Sequence, residues 1–161
     1  MAGLAIRRYL PTYPEGIQDM QNMDDTLIRQ ACTDLIVRYA YLNDERRFDE
    51  LADLFTEDAV LYRPSAPEQG IAGRAAILAA FRKRPADAMT FHVTSDVLVE
   101  VESADRAQAR SRILLLAGTR PQDGSALPND ARPPVPGVFR DVFRLTDTGW
   151  KFAERRGAFW I

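Results

Sequence analysis

The hydrophobic period of this chain changes once, near its middle, and that change limits the fold more than any single motif does. Before Pro85 the apolar residues mostly recur every three or four positions, and after Thr90 they mostly alternate with polar ones. Leu27, Ile28, Ala31, Leu35, Ile36, Tyr39 and Leu42 form one helical stripe. They predict a helix starting near Thr26, with Asp24 and Asp25 at its N-terminus and a stop at Asn43-Asp44. A shorter helix should bury Phe48, Leu51, Leu54 and Phe55 and end before Asp58, followed by a strand over Ala59–Arg63. A third helix, after Gly73, presents Ile77, Leu78 and Phe81 and ends before Pro85. Strands then follow over 90–101, 107–117, 139–145 and 150–159, the last two joined by a short turn at Thr146–Gly149. Residues 119–136 carry five prolines and no periodicity, which predicts a long loop over one edge or mouth of the domain. Helices first, then strands with short connections, predict an α+β fold with an antiparallel sheet.

Composition narrows the class. A chain of 161 residues, 46% hydrophobic and 27% charged, fits one globular domain. A net charge of −2 with scattered basic residues gives no footprint for nucleic acid. No apolar run approaches the roughly 20 residues a membrane span needs. Arg7 and Arg8 are not followed by an apolar segment, so no signal peptide is read. Together with a single cysteine, Cys32, this places the chain, as an expectation, in the cytoplasm. Residues 1–23, with Pro11, Pro14 and Gly16 among apolar residues, read as an N-terminal arm, and 24–161 as the domain.

Few residues are equipped for chemistry. His92 is the only histidine, and Cys32 sits near the apolar stripe as core filler, so the usual zinc sets are excluded. Neither a phosphate-binding glycine loop nor a dinucleotide fingerprint is present, and the expectation is no cofactor. Asp141 shares a strand face with Phe139, Phe143 and Leu145. It is either drawn into a pocket, where burial would raise its pKa, or placed at an edge or paired with a strand arginine. His92 alternates with Thr94, Asp96 and Leu98, against the more apolar phase of Phe91, Val93, Val97 and Val99. By pattern alone it could lie on the outer, polar face. Tyr62 is ambiguous between packing and a cavity. Arg155 and Arg156 point to opposite faces, so one of them turns inward and needs an anion.

Four segments in order carry a family resemblance: YAYLNDERRFDELADLFTEDAVLYRP, GIAGRAAILAAF, TFHVTSDVLVEVES and FRDVFRLTDTGWKFAERR. Over roughly residues 24–160 the chain resembles the SnoaL-like branch of the nuclear transport factor 2-like superfamily. The resemblance implies a cone-like, curved antiparallel sheet with three N-terminal helices in its concave face, a cystatin-like α+β barrel. Tyr39, Asp44 and His92 resemble the Tyr-x-x-x-x-Asp and strand histidine of bile-acid dehydratases. The Asp44 and His92 pair also resembles that of scytalone dehydratase and hexachlorocyclohexane dehydrochlorinase. Tyr62 resembles a substrate-facing tyrosine of the former, and Arg155 a pocket arginine of the latter. Tyr39 with Asp141 is similar to the oxyanion pair of ketosteroid isomerase. That enzyme's aspartate base is missing, since Arg63 precedes Pro64 here, and no second histidine exists.

What the resemblance implies is a cofactor-independent lyase or isomerase, of dehydratase, isomerase or cyclase type, acting on a small, mostly apolar cyclic molecule. Asp44 and His92 would be catalytic, and Tyr39, Tyr62, Asp141 and Arg155 would bind substrate. The alternative is a non-catalytic ligand-binding or assembly module similar to the β subunits of ring-hydroxylating dioxygenases. The superfamily pairs through the outer face of its sheet, so a homodimer or homotrimer is expected, with Val97, Val99, Ile113 and Leu115 supplying surplus apolar surface.

Overall fold

The computed structural model of the chain describes residues 15–123, 128 and 130–160, with side chains from residue 24 onward. Three helices and six strands follow one another as α1 (Glu15–Asp44), α2 (Phe48–Ala52), β1 (Phe55–Tyr62), β2 (Gly70–Ala72), α3 (Arg74–Arg82), β3 (Ala88–Ser103), β4 (Arg106–Thr119), β5 (Val135–Thr146) and β6 (Gly149–Phe159). The first helix begins earlier than its apolar stripe suggested, and Asp24 and Asp25 lie inside it. It runs across the position taken as the junction of arm and domain; residues 1–14 of that arm lie outside the described residues. Phe55, expected in the second helix, opens β1, and β2 forms before α3, where no element was expected.

The strands form one sheet in the order β2-β1-β6-β5-β4-β3. The α+β class is as expected, but the cone-like antiparallel sheet closed as a cystatin-like barrel is not what the chain forms. The sheet is mixed, because β1 runs parallel to β6, and it is open, with β2 and β3 as its two edges. Closure would require those edges to pair. Helical and extended periods mark which residues form strands and say nothing of which strands meet, so the parallel pair was invisible to them.

The core lies between the helices and one face of this sheet. Cys32, Leu35, Ile36, Tyr39 and Leu42 of α1 face Phe48, Leu51 and Leu54, then Ile77 and Phe81 of α3, and the aromatic strand residues Phe55, Phe139, Phe143 and Phe152. The Tyr39 ring stands edge-on to Phe55, Phe81, Phe139 and Phe152, with centroids 6.0–6.2 Å away. That is the preferred geometry for aromatic quadrupoles, and burying each such ring contributes about 1.5–3 kcal/mol.

β3 contains the feature that sets the site. Its pairing with β4 shifts between Ser95 and Leu98, and Asp96 there has φ of 51°. One extra residue on β3 makes a bulge, and a bulge inverts the alternation beyond it. Thr90, His92 and Thr94 therefore share the inner face with Val97, Val99 and Val101, while Phe91, Val93 and Leu98 face out. The outer-face reading of His92 assumed an unbroken strand, and the bulge overturns it.

Candidate active site

Helix α1 stops so that Asp44 is delivered to the edge strand β3. The backbone N–H of Arg47 donates to the Leu42 carbonyl at 2.9 Å and that of Arg46 to the Asn43 carbonyl at 3.3 Å. With Arg46 at φ of 61°, this is a Schellman closure, made here by arginine where glycine is usual. The Arg46 guanidinium compensates by donating to the carbonyls of Pro85, Ala88 and Arg84, tying the helix end to the connection before β3.

Three donors converge on the Asp44 carboxylate. The His92 backbone N–H reaches Oδ2 at 2.7 Å, the Thr90 hydroxyl donates to Oδ1 at 2.7 Å, and His92 Nδ1 lies 2.6 Å from Oδ1. A carboxylate can only accept, so Nδ1 carries a proton, and in the neutral imidazole the lone pair is then on Nε2. Nε2 makes no hydrogen bond to the described residues. The pair is mostly enclosed, with side-chain exposures of 10% for His92 and 17% for Asp44. It lines a cavity of about 600 Å³ between α1 and β3. Val37, Ala40 and Tyr41 of α1 supply the facing wall, Phe91 and Val93 border it where β3 turns them to its outer face, and Glu45 gives it an acidic rim.

The other sequence-predicted residues lie elsewhere. Tyr39 and Asp44 are five apart on one helix, which separates them by about 140° around its axis, so Tyr39 enters the core. There it meets Asp141 and Arg155, a fully buried ion pair at 3.0 Å formed between residues directly opposite on β5 and β6. Of the two arginines, Arg155 is the one that turns inward. Its guanidinium is 3.8 Å from the Phe139 ring centroid, 4.2 Å from Tyr39 and 4.8 Å from Phe152. Burial pushes Asp141 up to about 7 even though Arg155 opposes it, and burial likewise raises the Tyr39 phenol. Asp141 Oδ1, Arg155 Nε and Ser111 Oγ are buried without a partner. Tyr62 is on the opposite face of the sheet, with the Arg156 guanidinium 3.6 Å from its ring centroid.

The structure thus brings Asp44 to His92, and Tyr39 to Asp141 and Arg155, but does not join the two groups. Sequence reasoning missed Thr90 and Arg84. Thr90 had a signal, standing two residues before His92 and hence on the same strand face. Arg84 had none, because it reaches the site from the connection after α3. Its guanidinium donates to Asn43 Oδ1 at 2.5 Å, to the Asn43 carbonyl at 3.2 Å and to Thr90 Oγ1 at 3.1 Å.

An α+β domain in which a helix end and an edge strand join a carboxylate to an imidazole beside a cavity is the class these features define. The chain belongs to the SnoaL-like domain family, whose model matches residues 24–156. The fold is that of the nuclear transport factor 2-like superfamily. A crystal structure described as a candidate scytalone dehydratase from Novosphingobium aromaticivorans is 23% identical, with a TM-score of 0.72 over 87% of this chain and 89% of that one. Hexachlorocyclohexane dehydrochlorinase LinA-type3 from Novosphingobium barchaimii is 20% identical, with a TM-score of 0.71 over 87% and 91%. A candidate aromatic ring hydroxylase from Novosphingobium aromaticivorans is 26% identical, with a TM-score of 0.67 over 83% and 89%. A comparison with curated protein sequences gave no match. Among the described residues no helix is long and apolar enough to cross a membrane, and no group of acidic, histidine or cysteine side chains is arranged to hold a metal ion.

Proposed function

We propose that the chain is a cofactor-independent lyase or isomerase in which His92 takes a proton from a small, mostly apolar cyclic substrate held between α1 and β3. The observation that carries this reading is the 2.6 Å contact between His92 Nδ1 and Asp44 Oδ1, which leaves Nε2 free beside the cavity. Nε2 would accept the proton from a carbon acid, and Asp44 would stabilise the imidazolium. The electron pair of the broken C–H bond then forms a C=C bond as a leaving group departs, or the substrate is reprotonated at another carbon. Val37 and Ala40 of α1 would pack against an apolar ring. The names of two structural relatives, a candidate scytalone dehydratase and a dehydrochlorinase, support elimination from a ring. Tyr39, Asp141 and Arg155 are sealed in the core and Tyr62 is on the other face, so the proton transfer would fall to His92 and Asp44 alone.

The test is a panel of hydroxylated and halogenated cyclic compounds offered to the parent chain, Asp44→Asn, His92→Gln and the double variant. Loss of a general base typically costs about 10²–10⁴-fold in rate. Each single variant should lose turnover on that scale, and the double variant should lose little more, because the pair acts as a unit. Turnover in His92→Gln close to the parent's would exclude the mechanism.

A second reading, a non-catalytic assembly module, is favoured by the outer face of the sheet. Phe91, opposite Leu116, and Val93, opposite Leu114, are 63% and 43% exposed, and both leucines are exposed as well. Of the residues expected to supply that surface, Val97, Val99 and Ile113 pack against the core, and Leu115, opposite His92, shares their face. We take the exposed quartet as a contact between copies of the chain, in a homodimer or homotrimer.

A further inference from the structure

We propose that Arg84 is a positioning residue for the Asp44–His92 pair, acting through the Thr90 hydroxyl. The inference rests on the catalytic reading of that pair and adds a third element to it. A guanidinium can only donate, so the contact from Arg84 Nη2 to Thr90 Oγ1 at 3.1 Å uses an acceptor site of the hydroxyl. The single hydroxyl proton of Thr90 is then committed to Asp44 Oδ1, 2.7 Å away. Without Arg84 the hydroxyl is free to rotate and accept instead. Arg84 also holds the side chain and the carbonyl of Asn43, the residue before Asp44. One guanidinium thus clasps the last turn of α1 and the start of β3 on either side of the carboxylate.

Arg84 is a costly residue to hold in this position. It is half-buried, it forms no ion pair with the described residues, and its Nε is buried without a partner. Its side chain lies over Phe48, with 5.4 Å to the ring centroid, and burial followed by the nearby Arg46 charge holds its pKa below the usual arginine range. A neutral side chain could span the same gap with less desolvation. What a neutral side chain lacks is the cation near Asp44, whose charge Arg84 feels. The titratable groups lining the cavity with His92 are Asp44, Glu45 and Tyr41 from α1, and its neighbour on β4 is Leu115. Arg46 and Arg84 bind the connection into β3 and the Thr90 hydroxyl, on the side of the carboxylate. Arg84 therefore orients the carboxylate that receives the charge once the proton arrives.

As the only histidine, His92 gives a single imidazole signal that can be titrated by NMR with no substrate present. In Arg84→Met the titration midpoint should rise by about half a pH unit or more, roughly threefold in proton affinity, since a cation and an oriented donor are both lost. Thr90→Val should raise it in the same direction. The double variant should move little beyond the larger single shift, because both act on one relay. If Arg84→Met fails to fold, Arg84→Lys is the substitute: it keeps the charge but loses the fork, and a smaller rise is expected. An unchanged midpoint in the folded Arg84 variant overturns the proposal. So do fully additive shifts in the double variant, which would reduce Arg84 to a distant charge. Asp44→Asn is the control for the underlying reading and should lower the midpoint. If it does not, the Asp44–His92 dyad itself fails, whatever Arg84 does.

Discussion

Replacing Asp141 by asparagine should flatten the dependence of folding stability on pH. Asp141 is 2% exposed, and burial raises its carboxyl from 3.8 to about 7 against the pull of Arg155 at 3.0 Å. Between those two values the folded chain holds a proton that the unfolded chain has released. Stability contributed at this site is therefore greatest at low pH, falls as pH rises through the interval, and levels off above about 7. From pH 5 to pH 8 the folded carboxyl titrates over about two pH units, which at about 1.36 kcal/mol per unit is a loss of about 3 kcal/mol. Asp141→Asn has no such proton to lose. Urea unfolding of both proteins at pH 5, 6.5 and 8 reads the difference. With a slope of about 1–3 kcal/mol per molar urea, the parent's midpoint should fall relative to the variant's by about 1–3 M across that range. If the gap between parent and variant is constant with pH, Asp141 stays ionised in the core and the ion pair outweighs desolvation. The variant would then carry a fixed penalty of about 3–5 kcal/mol for leaving Arg155 unpaired.

Asp96 holds the bulge at φ of 51°, where a side chain branched at Cβ is strained. Asp96→Val should cost about 1–3 kcal/mol in denaturant unfolding, and Asp96→Gly close to nothing; equal losses would mean that the bulge is not held by that backbone angle. The outer-face quartet predicts that light scattering gives a mass above the 18.1 kDa of one chain. Leu114→Glu should shift it towards the monomer, and a monomeric parent at tens of micromolar would count against the contact.

The sequence by itself determined most of the elements and their class. The stripe of α1 from Ile28 to Leu42, the small apolar face of α3, and the strict alternation of Ala107, Ala109, Ser111 and Ile113 on β4 are local periodicities that burial enforces. The order of four ordinary segments was sufficient to indicate the SnoaL-like family. What only the tertiary structure decided is where those elements meet. Alternation fixes which strand residues share a face only until a residue is inserted, and the extra residue at Ser95–Leu98 moved His92 from the expected outer face to the inner one. The spacing of Tyr39 and Asp44 placed both near the end of α1, but the helical twist sent one into the core and the other to β3. Pairing partners distant in the chain, such as β1 beside β6, leave no periodic mark on either strand. The same is true of Arg84, which reaches the site from a connection whose sequence carries no pattern, because its role depends on three atoms of Asn43 and Thr90 that only folding brings within reach.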